Sequence, residues 1–155
     1  MCLEVAPENG GSIVSLRRGE QILMQGRPSE PHLACFPMLP YCNRIACGRF
    51  VFQGLDIVLS PNFSSEANTI HGTAWQAAWQ VTSKTADELH LSYDHDAVAS
   101  AASGWPWTLR ATQTFRLTED ELVIHLQVTN SSAQAMPVGL GLHPFFPAPD
   151  QTFLT

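Results

Sequence analysis

Basic residues are scarce in this chain and nowhere massed: 8 lysines and arginines stand against 14 acidic residues in 155, for a formal charge of -6 and a sequence pI near 5.4. Holding a nucleic-acid backbone or an anionic membrane takes a clustered basic face, so neither is expected as a partner. An apolar leader is missing as well. Glu4, Glu8, Arg17, Arg18 and Glu20 interrupt the first twenty residues, which argues against a signal peptide, and no later run approaches membrane-spanning length. Closely paired cysteines are absent too: Cys2, Cys35, Cys42 and Cys47 lie 33, 7 and 5 residues apart. That spacing matches no C-x-x-C pattern, and the four read as reduced thiols of a cytoplasmic protein with no metal site. Helical periodicity is also wanting. No window of a dozen residues keeps an apolar period of 3.6, and the 11 prolines are scattered where they would break helices.

What the chain does have is period-two alternation over a hydrophobic content of 45%, enough for one domain spanning residues 1–155. From Trp107 to Leu117, Trp107, Leu109, Ala111, Phe115 and Leu117 point one way and Thr108, Arg110, Thr112, Thr114 and Arg116 the other. This is the pattern of a half-buried antiparallel strand. A polar turn at 118–121 leads into Leu122, Ile124, Leu126 and Val128, completing a hairpin. Similar units are predicted at 12–24, 49–59 and 79–93, and short strands at this spacing predict an all-β, antiparallel β-sandwich. The Ala/Ser stretch 97–103 reads as a loop. His32, His90, His95 and His125 fall in loops or on polar strand faces and are expected to be solvated.

Three motifs carry chemistry: Pro40-Tyr41-Cys42-Asn43-Arg44-Ile45, then Ile70-His71-Gly72, then Gly139-Leu140-Gly141-Leu142-His143-Pro144-Phe145-Phe146. Prolines 37 and 40 stiffen the approach to Asn43 and Arg44. Arg44 offers a planar fork of five donors that spans adjacent sugar hydroxyls or a carboxylate, its ordinary alternative being an ion pair with a nearby acid. His71 is followed by Trp75 and Trp79. Imidazole beside indole suits a carbohydrate, whose C–H faces lie on aromatic rings while its hydroxyls need donors and acceptors. Both tryptophans could instead be core residues, and Trp79 fits that alternative better. His143 arrives inside an apolar strand, where it is either a hydrogen-bonded core residue or a general acid.

In order and separation these motifs resemble the aldose 1-epimerase (galactose mutarotase) family, from about Leu3 to about Phe146. Gly10-Gly11-Ser12-Ile13, the segment from Phe36 to Gly48, His71-Gly72-x-x-Trp75, Trp105-Pro106-Trp107 and Gly139 to Phe146 are the landmarks. The resemblance implies a galactose mutarotase-like supersandwich and interconversion of the α and β anomers of a free aldose such as galactose or glucose, with no cofactor. By that resemblance Arg44 binds sugar hydroxyls with Asn43 supporting it, and Trp75 is a sugar contact. His71 hydrogen-bonds near the ring oxygen, and His143 is the general acid.

The family's general base is a glutamate well downstream of the His-Pro-Phe motif, with a sugar-binding aspartate between them, and the sequence to Thr155 offers neither. Glu66, Glu119, Glu121 and Asp150 match no family position. The expectation is therefore a single incomplete domain, truncated on its C-terminal side and inactive alone, whose open sheet edges favour aggregation. Two other readings stand beside it: a non-catalytic carbohydrate-binding domain, and a hexose-phosphate mutarotase-like protein. The second calls for more cationic residues than the Arg17-Arg18 pair supplies.

Overall fold

The structure is a computed structural model describing residues 1–26, 33–64 and 66–147. In chain order its strands are β1 (Cys2–Ala6), β2 (Ser12–Arg18), β3 (Gln21–Gln25), β4 (Cys35–Met38), β5 (Arg44–Ile45), β6 (Arg49–Phe52) and β7 (Leu55–Val58). There follow β8 (Thr69–Ile70), β9 (Gln80–Lys84), β10 (Glu88–His95), β11 (Leu109–Leu117), β12 (Leu122–Asn130) and β13 (Gly141–Pro144). Helical structure among the described residues amounts to three short 3-10 turns, one of them at Ala101–Ser103 within the expected Ala/Ser loop. None is long or apolar enough to cross a membrane.

Two antiparallel sheets carry the fold. One runs β1-β2-β4-β13, with β3 paired to β2, and the other runs β12-β11-β10-β9. Alternation decides which faces meet. β11 buries Leu109, Ala111, Gln113 and Phe115 and turns Arg110, Thr112 and Arg116 to solvent. Ile13 and Leu16 of β2 share one core with Leu91 of β10, with this β11 row, and with Trp79, Trp105 and Trp107. Trp79 is anchored there by donating its indole N–H to the Ala74 carbonyl at 3.0 Å. The hairpins β2–β3, β6–β7, β9–β10 and β11–β12 fall where the alternation places them.

One expectation is corrected: His95 is 1% exposed rather than solvated. Leu89, Leu91, Tyr93 and His95 form one face of β10, and His95 lies opposite Leu109 of β11, so the inward row simply continues through it. Its Nε2 bonds the Trp105 carbonyl at 3.2 Å, and burial holds its pKa below the ordinary histidine value. His90 and His125 do keep solvent contact, whereas His32 lies outside the described residues.

β4 is buried on both faces, and this creates the site. Cys35 and Leu39 join the main core, while Phe36 joins a second cluster with Ile70 and Trp75, against which Leu33, Met38, Phe63 and Phe145 pack. β13 repeats the division, with Leu142 packing on the main core and His143 set opposite Phe36 in the register. Among the described residues, β12 ends one sheet opposite β9, and β13 ends the other opposite β1. Leu122, Ile124, Leu126 and Val128 of β12 are only half-buried, and Val138, Leu140 and Phe146 near β13 are exposed.

Candidate functional site

Two strands of two residues each bring the first two motifs together. β5 and β8 pair Arg44 with Ile70 and Ile45 with Thr69, so Asn43 and His71 face each other one step beyond the ladder. Both residues have positive φ, 62° and 60°, a region that non-glycine residues rarely occupy and that asparagine and histidine tolerate better than most. The backbone N–H of His71 donates to the Asn43 carbonyl at 3.0 Å. In return, the Asn43 N–H donates to Nδ1 of the His71 ring at 3.1 Å. Because that nitrogen accepts, the proton of the neutral ring sits on Nε2.

Gly72 makes the crossing possible. A β-carbon there would lie 1.9 Å from the Leu39 carbonyl oxygen, the same oxygen that accepts from Thr73 N–H at 3.0 Å. The chain thus turns against β4 with no room for a side chain, at a φ of 78° that suits glycine.

His143 reaches the same place from β13. Its ring stacks on Phe36 at 4.7 Å with 19° between planes, leans on Phe145 at 4.7 Å, and meets the His71 ring edge to face at 5.2 Å. The edge of Trp75 meets the His71 ring at 6.1 Å and 89°. Phe36 touches the rings of both histidines and of Trp75. The Nδ1 of His143 is sealed from solvent and has no hydrogen-bond partner among the described residues.

Two imidazoles this close do not both carry a proton easily, and the surroundings decide which one yields. The pKa of His71 is pushed down from 6.5 to about 4, first by burial, then by His143 and Arg44, with Glu66 opposing weakly. Protonation would also set an N–H at Nδ1 against the N–H of Asn43. At neutral pH His71 is accordingly an uncharged donor through Nε2.

Arg44 is exposed at the rim, and its guanidinium grips Glu66 two-handed, Nε donating to Oε2 at 2.9 Å and Nη2 to Oε1. Nη1 reaches Asn43 Oδ1 at 3.4 Å, and that oxygen also accepts the Arg44 backbone N–H at 2.9 Å. Of five donors, three are engaged, and one N–H on each terminal nitrogen is left for a ligand. The pair raises the Arg44 pKa and holds the Glu66 carboxyl below its ordinary value, the mutual hydrogen bond being the main cause of both.

All five residues singled out in the sequence thus converge, in different roles. Asn43, Arg44, His71 and His143 line an accessible or half-buried face, while Trp75 is 8% exposed and lies beneath His71, packed on Phe36 and Phe63. It supports the site rather than offering an open stacking platform. Sequence reasoning missed Phe36 as the hub, although its place two residues before Met38 in a strand was a usable signal. It also missed Glu66 as the partner of Arg44, which no local pattern marks. Among the described residues no cluster of three or more His, Cys, Asp or Glu could hold a metal ion. The four cysteines are free thiols, and burial pushes that of Cys35 up to about 11.

Known proteins share this fold. The uncharacterized protein YphB of Escherichia coli K12 is 40% identical over 152 residues, 97% of this chain and 50% of its own length. The aldose 1-epimerase of the same organism is 29% identical over 109 residues, covering 68% of this chain and 30% of that enzyme. Among solved structures, an Escherichia coli K12 protein provisionally assigned as an aldose 1-epimerase superposes with a TM-score of 0.85 at 38% identity, over 96% of this chain and 50% of its own. A galactose mutarotase-like protein of Clostridium acetobutylicum shares the fold at a TM-score of 0.78 and 20% identity, over 92% of this chain and 46% of that one. The chain thus spans at most about half the length of these relatives. The aldose 1-epimerase family pattern matches residues 4–155, and with the all-β antiparallel fold and the convergence of Arg44, His71 and His143, this chain belongs to the aldose 1-epimerase family.

Proposed function

We propose that this chain carries the sugar-binding and proton-donating side of a mutarotase site acting on free aldohexoses. The observation that supports the reading best is the histidine pair. Two rings lie 5.2 Å apart, and one of them, His71, is held neutral by burial and by an N–H at its Nδ1.

Ring opening removes a proton from the anomeric hydroxyl while delivering one to the ring oxygen. The C1–O5 bond breaks, the C1 carbonyl rotates, and reclosure on its other face returns both protons. His143 donates to the ring oxygen as it leaves, and His71 steadies the same oxygen through Nε2–H. The free N–H groups of Arg44 hold adjacent hydroxyls, with Asn43 fixing the guanidinium. Each positioned proton transfer is worth roughly 100- to 10,000-fold. Opening also needs a base on the opposite side, and Glu66, the carboxylate in contact with Arg44, is committed to that ion pair. We therefore assign the base to a carboxylate outside the described residues.

Polarimetry of fresh α-D-galactose or α-D-glucose, paired with NMR titration of the histidine rings, tests this. The 155-residue polypeptide should bind sugar, with shifts at His71 and His143 and little acceleration of anomer exchange. A rate far above buffer that His143→Ala abolishes would overturn the placement of the base. Binding that survives in a polypeptide of the relatives' full length, with no acceleration there either, would favour a carbohydrate-binding module.

A further inference from the structure

The side chain of Asn62 is spent entirely on the backbone around His71. Its Nδ2 donates to the carbonyl of Ile70 at 2.7 Å and to that of Gly72 at 2.7 Å, the two carbonyls that bracket His71. Its Oδ1 accepts the Ile70 N–H at 2.8 Å and, more loosely, the Thr69 hydroxyl at 3.4 Å. Only one orientation of the amide serves two carbonyls and an N–H together, so the contacts fix the side chain as firmly as it fixes the loop.

We propose that Asn62 is a positioning residue for His71: a single amide binds the chain before and after a histidine at φ 60°, at the carbonyls of Ile70 and Gly72, and thereby aims its Nδ1 at the Asn43 N–H. The need is physical. A histidine with positive φ occupies a sparsely populated basin and leaves it unless its neighbours over-determine the conformation. β8 contributes only two residues of ladder, Thr69 and Ile70, and beyond them the Asn43 and Leu39 carbonyls hold the N–H groups of His71 and Thr73. Gly72 is freely rotatable by nature. Asn62, arriving from nine residues upstream of His71, adds a side-chain constraint on the carbonyls of Ile70 and Gly72. The catalytic meaning of this rests on His71 being the site donor proposed above, whereas the geometric claim does not.

Ring-nitrogen NMR separates the two, since no sugar or turnover enters it. In the 155-residue chain, long-range ¹H–¹⁵N spectra between pH 3.5 and 7.5 should show His71 as a single Nε2–H tautomer titrating near 4. Asn62→Asp keeps an acceptor for Ile70 N–H but loses both donor bonds, and Asn62→Ala loses everything. In each, the His71 midpoint should climb by at least about one pH unit toward 6.5 and its tautomers should mix. His95, held by the Trp105 carbonyl in the main core, is the internal reference and should not move. A His71 signal unchanged in both variants would overturn the proposal. So would loss of the His95 signature along with that of His71 in both, because Asn62 would then serve the whole fold and not this loop.

Discussion

The backbone N–H of Asn43 donates to Nδ1 of His71 at 3.1 Å, while the backbone N–H of His71 donates to the Asn43 carbonyl at 3.0 Å. This reciprocal pair joins the first motif to the second across 28 residues and does two things at once. It closes the short β5–β8 ladder, and it chooses the tautomer with which His71 meets a ligand.

A pH dependence of stability follows. His71 titrates at about 4 in the fold against 6.5 ordinarily, so between those values the unfolded chain binds a proton that the folded chain refuses. Stability therefore rises with pH across that window and is lost as pH falls through it, levelling off below about 4. His71→Asn suits the positive φ and stays neutral at every pH. Urea melts at intervals from pH 4.5 to 7.5 should give a flatter profile for this variant than for the parent. His95 is shifted in the same direction and stays in both proteins, so the difference between the profiles belongs to His71. Parallel profiles would contradict the assignment.

Glu66 should matter to ligand affinity more than to folding. Its carboxylate fixes the Arg44 fork at an exposed rim, where an ion pair adds little to stability. A guanidinium already ordered before binding loses less freedom when a sugar arrives, so Glu66→Gln should weaken galactose binding roughly two- to tenfold. The melting temperature should stay within about 2 °C of the parent. NMR titration and thermal melts on the same samples check both halves, and unchanged affinity would mean that Arg44 is ordered by other contacts.

How much of this could be read beforehand depends on the range of each signal. β11 announced itself, because alternation over nine residues, broken only by the inward Gln113, leaves one solution, and Arg110 and Arg116 outside with Leu109 and Phe115 inside were legible to the residue. His95 was equally legible and was overlooked: Leu89, Leu91 and Tyr93 predict its inward direction by counting in twos. β5 and β8 were not, since two residues carry no period and the pairing of Arg44 with Ile70 is a tertiary fact. The same holds for Asn62, which sits among Ser60, Pro61 and Ser64 and looks like any turn asparagine until the carbonyls it serves are in view. Trp75 shows the converse, its type suggesting a sugar platform where packing gives it a supporting place. Resemblance to a family named Arg44, His71 and His143 together, yet only the fold showed that Phe36 touches the rings of both histidines.

Phe36 should accordingly be a costly position. Its side chain is 8% exposed and contacts the rings of His71, Trp75, His143 and Phe145. Phe36→Ala should cost about 3 to 5 kcal/mol, a melting-temperature drop of roughly 6 °C or more at this size. Phe36→Leu keeps most of the volume and should cost less than about 1.5 kcal/mol. It still removes the stacked ring, so the His143 carbon-bound protons should lose their ring-current shifts while the fold persists. Unmoved His143 signals in Phe36→Leu would mean that the stacking does not exist in solution.

Gly72 and Gly54 separate backbone strain from collision. Their φ values are nearly equal, 78° and 79°, so an alanine pays a similar conformational penalty at either, about 1 to 2 kcal/mol. Around Gly54, in the β6–β7 turn, nothing lies within 4 Å of the added carbon. At Gly72 the added carbon falls 1.9 Å from the Leu39 carbonyl oxygen and 2.6 Å from the Pro40 nitrogen, backbone atoms that cannot swing aside like the end of a side chain. Relief would require the His71–Thr73 turn to lift from β4, breaking the Thr73 N–H bond to Leu39 and disturbing the Asn62 clamp on Gly72. Gly54→Ala should therefore lower stability by no more than about 2 kcal/mol with the His71 ring spectrum intact, and Gly72→Ala should lower it by more than about 3 kcal/mol. Equal losses at the two sites in urea melts would show that the turn does not press on β4 as the structure has it, and that the position of His71 depends on conformation alone.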